Sequence, residues 1–361
     1  MKKVVIFNKN LKPGGAERQL CNIAKLIKDS GASVSFIVVK KEGVLLEELN
    51  ATGIDVDVLP CNNAGLWKSS RMLRKYMKEN EADVLLSFLP ETNLISTLAG
   101  FPKRKWKSIT GARSSNPEFL KSVKLKLYYW AHIFDDAVIT NSETNKNNIL
   151  KVNKFISSEK VHVIYNLVKK PNVKSSYEPL KEGKIHVVVA ANLRKVKNVL
   201  NVIEAISLLP TNEKEKLFVD WYGMPVEYSL DVIKNKIKEL SLEDNFFIHD
   251  STNEVVEKYQ QGDAVGLFSL FEGFPNAICE AMFVGKPIIC TPVSDVPVFL
   301  QGTDNVLCEN SSAEAIATAL KKLLSMSKKD LIRIGQSNKA LAYSLFDSEK
   351  ISNQIKSILL Q

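Results

Sequence analysis

Two carboxylates eight residues apart, Glu272 and Glu280, bound the stretch richest in chemistry, which reads FEGFPNAICEAM over 271–282. The apolar run AVGLF at 264–268 reads as a strand. Pro275 suits a first helical position, where its missing N–H costs nothing. The expected geometry is strand, loop, helix, with Glu272 in the loop and Glu280 one to two turns into the helix. Such a loop and helix start present free N–H groups and a partial positive charge. Glu280 is surrounded by Ala277, Ile278, Cys279, Ala281, Met282, Phe283 and Val284, so the helix is apolar on most sides. Its carboxylate must face a polar cleft or hold a partner, because unpaired burial is costly. Two acids beside an anion-friendly backbone suit a ligand that combines phosphates with many hydroxyls, and a nucleotide sugar is one.

Two further stretches carry candidate ligand contacts. Gly14 and Gly15 in LKPGGAERQL follow the first apolar run and permit a tight turn and close backbone approach before a helix starting near Ala16. This is not the dinucleotide fingerprint, and no ribose acid follows on a second strand, which disfavours a nicotinamide enzyme. The other stretch is VVVAANLRKVKNVLNVIEAI, a strand and helix with a basic loop between them.

With Gly273, Phe274, Pro275, Asn276 and Ala281 in place beside the two glutamates, the acidic stretch resembles the signature of retaining glycosyltransferases of glycosyltransferase family 4. The resemblance implies that Glu272 contacts the transferred sugar, with the backbone of 273–276 beside it, and that Glu280 contacts the nucleotide ribose. It implies that Gly14 and Gly15 lie over the donor phosphates. The family's diphosphate-binding lysine falls on Lys197, and the small residue after it on Asn198. The family's arginine, five residues earlier, is Asn192 here, a departure. Either Arg194 supplies the missing charge or the site runs with one fewer cation. Relatives place a histidine of the N-terminal half near the sugar. Here His132 and His162 stand at a helix end and in a strand, and Arg113 in TGARSSNP lies nearer the expected place. WYGMP keeps only Gly223 of a glycine pattern common in relatives, and Val298 stands where a glutamate is common. His249 and Asp250, which end a strand of the second half, are candidates for the nucleobase pocket.

The implied chemistry is retaining transfer from a nucleotide diphosphate sugar, UDP before GDP, with no further cofactor. A second carboxylate at about 5 Å, as retaining glycosidases use, is not evident. A front-side mechanism follows, in which the leaving phosphate helps deprotonate the acceptor. No metal is expected: Asp135 and Asp136 are adjacent and precede a strand, and His186 and His249 are single. Two other readings stay open. One is a nucleotide-sugar 2-epimerase of the same fold, whose acid/base set is not visible here. The other is a non-catalytic partner subunit, favoured by Asn192 and opposed by the intact glutamate pair.

These residues need a scaffold, and the chain of 361 residues is long enough for two domains with proper cores. Strand-like runs at 4–7, 33–39, 55–59, 84–87, 107–110, 137–140 and 161–164 alternate with helical patterns. A polar, proline-containing stretch at 169–183 breaks the alternation and reads as a linker. A second series follows at 185–190, 217–222, 246–249, 264–268, 287–290 and 305–307. The α/β alternation argues for parallel sheets in doubly wound domains. The family resemblance implies the GT-B fold: two Rossmann-like domains facing a cleft, 1–168 for the acceptor and 184–345 for the donor. In that fold the last helix, here 346–361, crosses back to the N-terminal domain.

The five cysteines form no CxxC pair and lie mostly in apolar surroundings, which reads as reduced thiols in a cytosolic protein. No stretch reaches the ~20 apolar residues of a membrane span. Residues 1–180 hold 29 Lys and Arg against 17 Asp and Glu, and the rest hold 20 against 23. The basic excess therefore belongs to the N-terminal half and points to an anionic partner. No RNA-recognition or zinc-finger signature is present, so nucleic acid is disfavoured. In WKSSRMLRKYMK, Arg71, Arg74, Lys75 and Lys78 share one helical face. KRKWK at 103–107 and KSVKLKLYYW at 121–130 interleave lysines with aromatic residues. Together they suit a surface that meets anionic lipid headgroups, where a lipid-linked glycan acceptor would sit. The expected location is the cytoplasmic face of the membrane, peripherally bound.

Overall fold

A computed structural model describes residues 1–12, 14–62, 64–168, 170–171 and 183–361. The linker expected at 169–183 falls almost wholly outside them. The chain divides into two compact units, Met1–Leu167 with Ser348–Gln361, and Val168–Asp347.

The first unit is built on β1 (Lys3–Asn8), β2 (Ser33–Val38), β3 (Val56–Val58), β4 (Val84–Ser87), β5 (Lys107–Ala112), β6 (Ala137–Thr140) and β7 (Val161–Val163). They form one sheet in the order β3-β2-β1-β4-β5-β6-β7, parallel throughout. Each lies within two residues of its expected position. Parallel strands need crossover helices on both faces, which is why β4 (VLLS) is buried along its whole length. The chain order reverses between β1 and β4, and ligands of open parallel sheets bind at such a point, beyond the C-terminal strand ends. The last helix, Ser348–Leu360, belongs to this unit, with Ile351, Ile355 and Leu359 in its core beside Ile27 and Leu49. The i, i+4, i+8 spacing of those three puts them on one helical stripe.

The second unit carries β8 (Ile185–Ala190), β9 (Leu217–Tyr222), β10 (Phe246–His249), β11 (Ala264–Leu267), β12 (Ile288–Cys290) and β13 (Val306–Leu307). Their order is β10-β9-β8-β11-β12-β13, again parallel, with its reversal between β8 and β11. Val187, Val189, Val219 and Trp221 sit in the core of one face. The Lys286 ammonium is interior: the residue is 1% exposed, and its Nζ donates to the carbonyls of Gln260 (2.8 Å) and Gly262 (2.7 Å). It thereby satisfies carbonyls at the end of the helix Val255–Gln261, where a cation is favoured. Burial pushes its pKa down to about 7, against the pull of Asp263. All five cysteines are buried and free.

Candidate active site

The two loops at the reversal point of the second sheet are joined by the backbone, where Leu270 N–H donates to Val196 O at 2.8 Å. The loop after β8 is held on several sides. Trp221 Nε1 donates to Ala191 O (2.6 Å), Asn192 Oδ1 accepts from Met224 N–H (3.1 Å), and Glu227 accepts from Lys195 N–H (2.8 Å). Gly223 is required there because a Cβ would lie 2.0 Å from Ala191 O. After the short turn Lys195–Lys197, Asn198 adopts the left-handed conformation at φ 64, which asparagine tolerates better than most residues. This turn aims Lys197 at the loop after β11.

There Lys197 Nζ lies 2.5 Å from Glu272 Oε1, and Ser269 Oγ donates to the same oxygen at 2.6 Å. The ion pair is largely shielded, with the two side chains 25% and 15% exposed. The structure therefore brings together two residues 75 positions apart in the chain. Ser269 was not foreseen; its signal is its place three residues before the glutamate, at the end of a strand.

The helix that follows spans Asn276–Phe283 with Pro275 as its N-cap, one residue later than expected. Asn276, Ala277 and Glu280 are its partly accessible positions, and the others are buried. Glu280 thus shares a stripe with the helix start, as the apolar surroundings required. Tyr259 and Cys279 lie near it, and burial followed by its negative charge raises both their pKa values well above the ordinary range. Gly273 O accepts from Ser294 Oγ (3.0 Å), fixing the loop. Phe274 is 6% exposed and packs edge-on against Phe299 and Phe346 at 6.1 and 5.9 Å, so its ring supports the loop from beneath.

The remaining predicted donor contacts in this unit are placed as follows. The Asn192 side chain holds Met224, which gives the departure from the family's arginine a structural role. Arg194 is exposed, and its carbonyl accepts Lys197 N–H at 2.9 Å. His249 ends β10, stacks on Tyr222 at 4.6 Å and hydrogen-bonds Asp220 at 2.8 Å. His186 holds the other Asp220 oxygen at 2.7 Å, so three adjacent strands meet in one His–Asp–His contact. Burial raises the Asp220 pKa, but the hydrogen bonds and charges of the two histidines outweigh it and leave the pKa below the ordinary value.

In the first unit, Gly14 is the N-cap of the helix Gly15–Asp29. A Cβ at Gly14 would lie 2.2 Å from Glu17 Oε2, so the glycine lets that carboxylate fold over the helix start. Burial raises the Glu17 pKa, opposed by a backbone hydrogen bond. Arg113, just past β5, stacks over the Phe88 ring at 3.8 Å and donates from Nη1 to Asn166 Oδ1 at 3.2 Å. It lines a cavity of about 110 Å³ with Phe88, Asn93 and His132. His132, set aside from sequence as a helix-end residue, is 3% exposed and held by Thr110 (2.8 Å) and Asp135 (3.3 Å). Asp135 also accepts from Thr97 and Ser108, and Asp136 pairs with Arg104 at 2.7 Å. Among the described residues no three His, Cys, Asp or Glu side chains converge as a metal site.

Two family descriptions match the chain: "Glycosyltransferase Family 4" over residues 13–169 and "Glycosyl transferases group 1" over 172–340. Between them they take in the glycine loop and the Lys197–Glu272–Glu280 group. The chain belongs to glycosyltransferase family 4. The chain is 31% identical over 176 residues to the N-acetyl-alpha-D-glucosaminyl L-malate synthase of Bacillus anthracis, covering 48% of this chain and 44% of that one. It is 26% identical over 229 residues to a Campylobacter jejuni protein, covering 62% of this chain and 60% of that one. That relative is the N-acetylgalactosamine-N,N'-diacetylbacillosaminyl-diphospho-undecaprenol 4-alpha-N-acetylgalactosaminyltransferase. The chain thus matches about half the length of these curated relatives. Anabaena HepE, solved with UDP and glucose, superposes with a TM-score of 0.82 at 19% identity over 99% of both chains. The fold of this family 4 chain is GT-B.

The basic face of the family 4 chain is reshaped by the structure. On the helix Leu66–Glu79, Arg71 and Lys78 are exposed and Lys75 lies 3.6 Å from Glu79. Arg74 is different: it donates to the carbonyls of Ala99 (2.8 Å) and Lys103 (2.6 Å), beside Trp106. Its guanidinium thus serves the end of the helix Pro90–Ala99. Trp106 is buried, whereas Trp67 and Trp130 are 67% and 48% exposed. Trp67 precedes Arg71, Lys75 and Lys78 on the same helical stripe. Val123, Leu127 and Trp130 form an exposed apolar stripe on the helix Val123–Ala131. No described helix is long and apolar enough to cross a membrane.

Proposed function

We propose that the protein is a retaining glycosyltransferase that moves a hexose or N-acetylhexosamine from a nucleotide diphosphate sugar to a glycan acceptor carried on a lipid. The observation that carries this reading is the Lys197–Glu272 pair at the reversal point of the second sheet, with Glu280 on the helix just beyond. An ammonium and a carboxylate held together at such a point form a neutral pair ready for exchange. An arriving diphosphate takes over Lys197, which frees Glu272 to accept hydrogen bonds from sugar hydroxyls. Glu280, one turn further, is suited to ribose hydroxyls. As the anomeric bond breaks, charge grows on the departing diphosphate, and Lys197 with the loop N–H groups stabilises it where it develops. The leaving phosphate takes the acceptor proton, and the new bond forms on the same face of the sugar. The reaction needs only the donor and acceptor; UDP is favoured over GDP, and no metal takes part.

Two names among the relatives support an anionic acceptor, one carrying malate and the other a diphospho-undecaprenol. The exposed Trp67, Arg71, Lys75 and Lys78 stripe supports peripheral attachment to an anionic membrane on its cytoplasmic side. The test is a panel of UDP- and GDP-sugars scored by thermal shift and by slow donor hydrolysis. A UDP-sugar should raise Tm and be hydrolysed, in chelator as in magnesium, with the released sugar formed first as the donor's anomer. A panel with no stabilising member would remove the reading.

A further inference from the structure

We infer that the Arg113 cavity of the first unit is an oxyanion subsite, which receives a phosphate or carboxylate borne by the acceptor. The inference rests on the donor–acceptor reading above and adds a ligand class to the first unit. Four observations carry it.

The cavity lies beyond the C-terminal ends of β4 and β5, lined by Phe88, Leu89 and Ala16 on one side and Gly111 to Ser114 on the other. Ala16 follows β1, so the cavity stands at the reversal point of the first sheet, where parallel sheets bind ligands. Its volume of about 110 Å³ is well short of the ~300–1,000 Å³ of a whole small-molecule site. It holds a headgroup, not a nucleoside.

Arg113 enters this space without a carboxylate partner among the described residues; the cause acting on its pKa is desolvation alone, which lowers it to about 9 and still leaves it cationic at neutral pH. Its Nε is buried and finds no acceptor. A buried charged donor without an acceptor is costly, and an incoming oxyanion is the acceptor that geometry lacks.

The guanidinium is also positioned. Phe88 lies flat beneath it, and the ring fits only because residue 111 is glycine: a Cβ there would come 2.3 Å from Phe88 Cδ1. Asn166 fixes one end of the fork. The helices Gly15–Asp29 and Pro90–Ala99 both start at the cavity and add positive potential, against the carboxylates of Glu17 and Glu91 in their first turns. Phe119, Tyr128 and Tyr129 make an apolar wall that strengthens the attraction. Asp135 is turned away, toward Thr97, Ser108 and Thr110.

The phosphate of a lipid diphosphate and the carboxylate of a small hydroxy acid share this chemistry, and the experiment separates them. The full-length protein, with its donor site filled by saturating UDP, is titrated with inorganic phosphate, inorganic diphosphate and malonate. The reporter is the Arg113 Nε–H resonance, identified by its loss in Arg113→Lys. At least one anion should shift it saturably, and the stronger of the phosphates or malonate names the source. Arg113→Gln should bind that anion about tenfold more weakly by calorimetry, as expected for loss of a charge-assisted fork, with UDP affinity unchanged. No saturable shift with any anion overturns the inference, as does equal binding by wild type and Arg113→Gln. A matching fall in UDP affinity would move Arg113 into the donor site. If Arg113→Gln does not fold, the wild-type titration still decides. Failure of UDP to bind wild type would remove the donor reading alone, since the anion titrations can be read without it.

Discussion

Glu272 Oε1 accepts from both Lys197 and Ser269, so one carboxylate oxygen is fully used before any ligand arrives. In the proposed reaction, truncating Lys197 removes the cation that the departing diphosphate needs most in the transition state. Lys197→Ala should cut turnover by about 10²-fold or more. Arg194→Ala should cost less, because Arg194 is exposed and its backbone, not its guanidinium, shapes the turn. Steady-state donor hydrolysis by the two variants checks this, and a larger loss at Arg194 would reverse the assignment of the main phosphate cation. Glu280 sits on the accessible stripe of an otherwise buried helix, so Glu280→Ala should leave the fold intact. It should weaken UDP binding by about 1–3 kcal/mol through loss of charge-assisted hydrogen bonds to ribose. Unchanged calorimetric affinity would place the ribose elsewhere.

At the scale of elements, the loops after β8 and β11 act as one body because the sheet reverses between those strands. Asn192 belongs to that body: its amide oxygen secures the loop after β9, a role the family's arginine cannot fill in the same way. The same sheet stores a pH-dependent contact in β8, β9 and β10, where His186 and His249 share Asp220. The Asp220 pKa is depressed in the folded state, so the unfolded chain takes up its proton at a higher pH than the folded one does. The carboxylate therefore contributes stability above its ordinary pKa of about 3.9 and loses it as pH falls through the lower folded value. Asp220→Asn lacks this contribution at every pH. The stability lead of wild type over the variant should shrink as pH drops from about 5 toward about 2. Denaturant melts of both proteins across that range provide the check, and a lead that widens on acidification would contradict the pairing.

Over the whole molecule, the basic excess of the N-terminal half is the feature with the longest reach. Arg71, Lys75, Lys78 and the exposed Trp67 share a stripe, while Arg74 is committed to backbone carbonyls and must be left in place in any test. Each basic residue held near an anionic bilayer contributes about 1 kcal/mol. Reversing Arg71, Lys75 and Lys78 to glutamate should lower co-sedimentation with anionic vesicles and transfer to a lipid-linked acceptor. Donor hydrolysis should be largely spared, because Lys197, Glu272 and Glu280, the proposed donor contacts, stand in the other unit. Binding by wild type should also fall with salt, as the Debye length contracts from ~10 Å at 0.1 M to ~3 Å at 1 M. Equal vesicle binding by wild type and variant would make this stripe an ordinary solvated face.

Strand positions were legible from the amino acids because parallel strands buried on both faces must be short apolar runs, and such runs stand out between polar turns. The strand–loop–helix context of Glu272 and Glu280 was legible for the same reason, together with the need of a carboxylate in an apolar helix for a polar outlet. Side-chain destinations were not. Arg71 and Arg74 look alike along the helix, yet only the fold brings the Ala99 and Lys103 carbonyls to Arg74 and makes it structural. Trp67 and Trp106 both sit in basic, aromatic surroundings, but one is exposed and the other packs in the core. His132 does stand at a helix end, but only the fold brings Thr110 of β5 and Asp135 around its ring. Ser269 and Lys197 meet Glu272 because adjacent strands of one sheet carry their loops to the same point. Local sequence sets what each segment becomes, since propensity and burial pattern act over a few residues. Which distant groups then share a charge or a hydrogen bond is decided by the order of strands in the sheet, and only the tertiary structure contains that order.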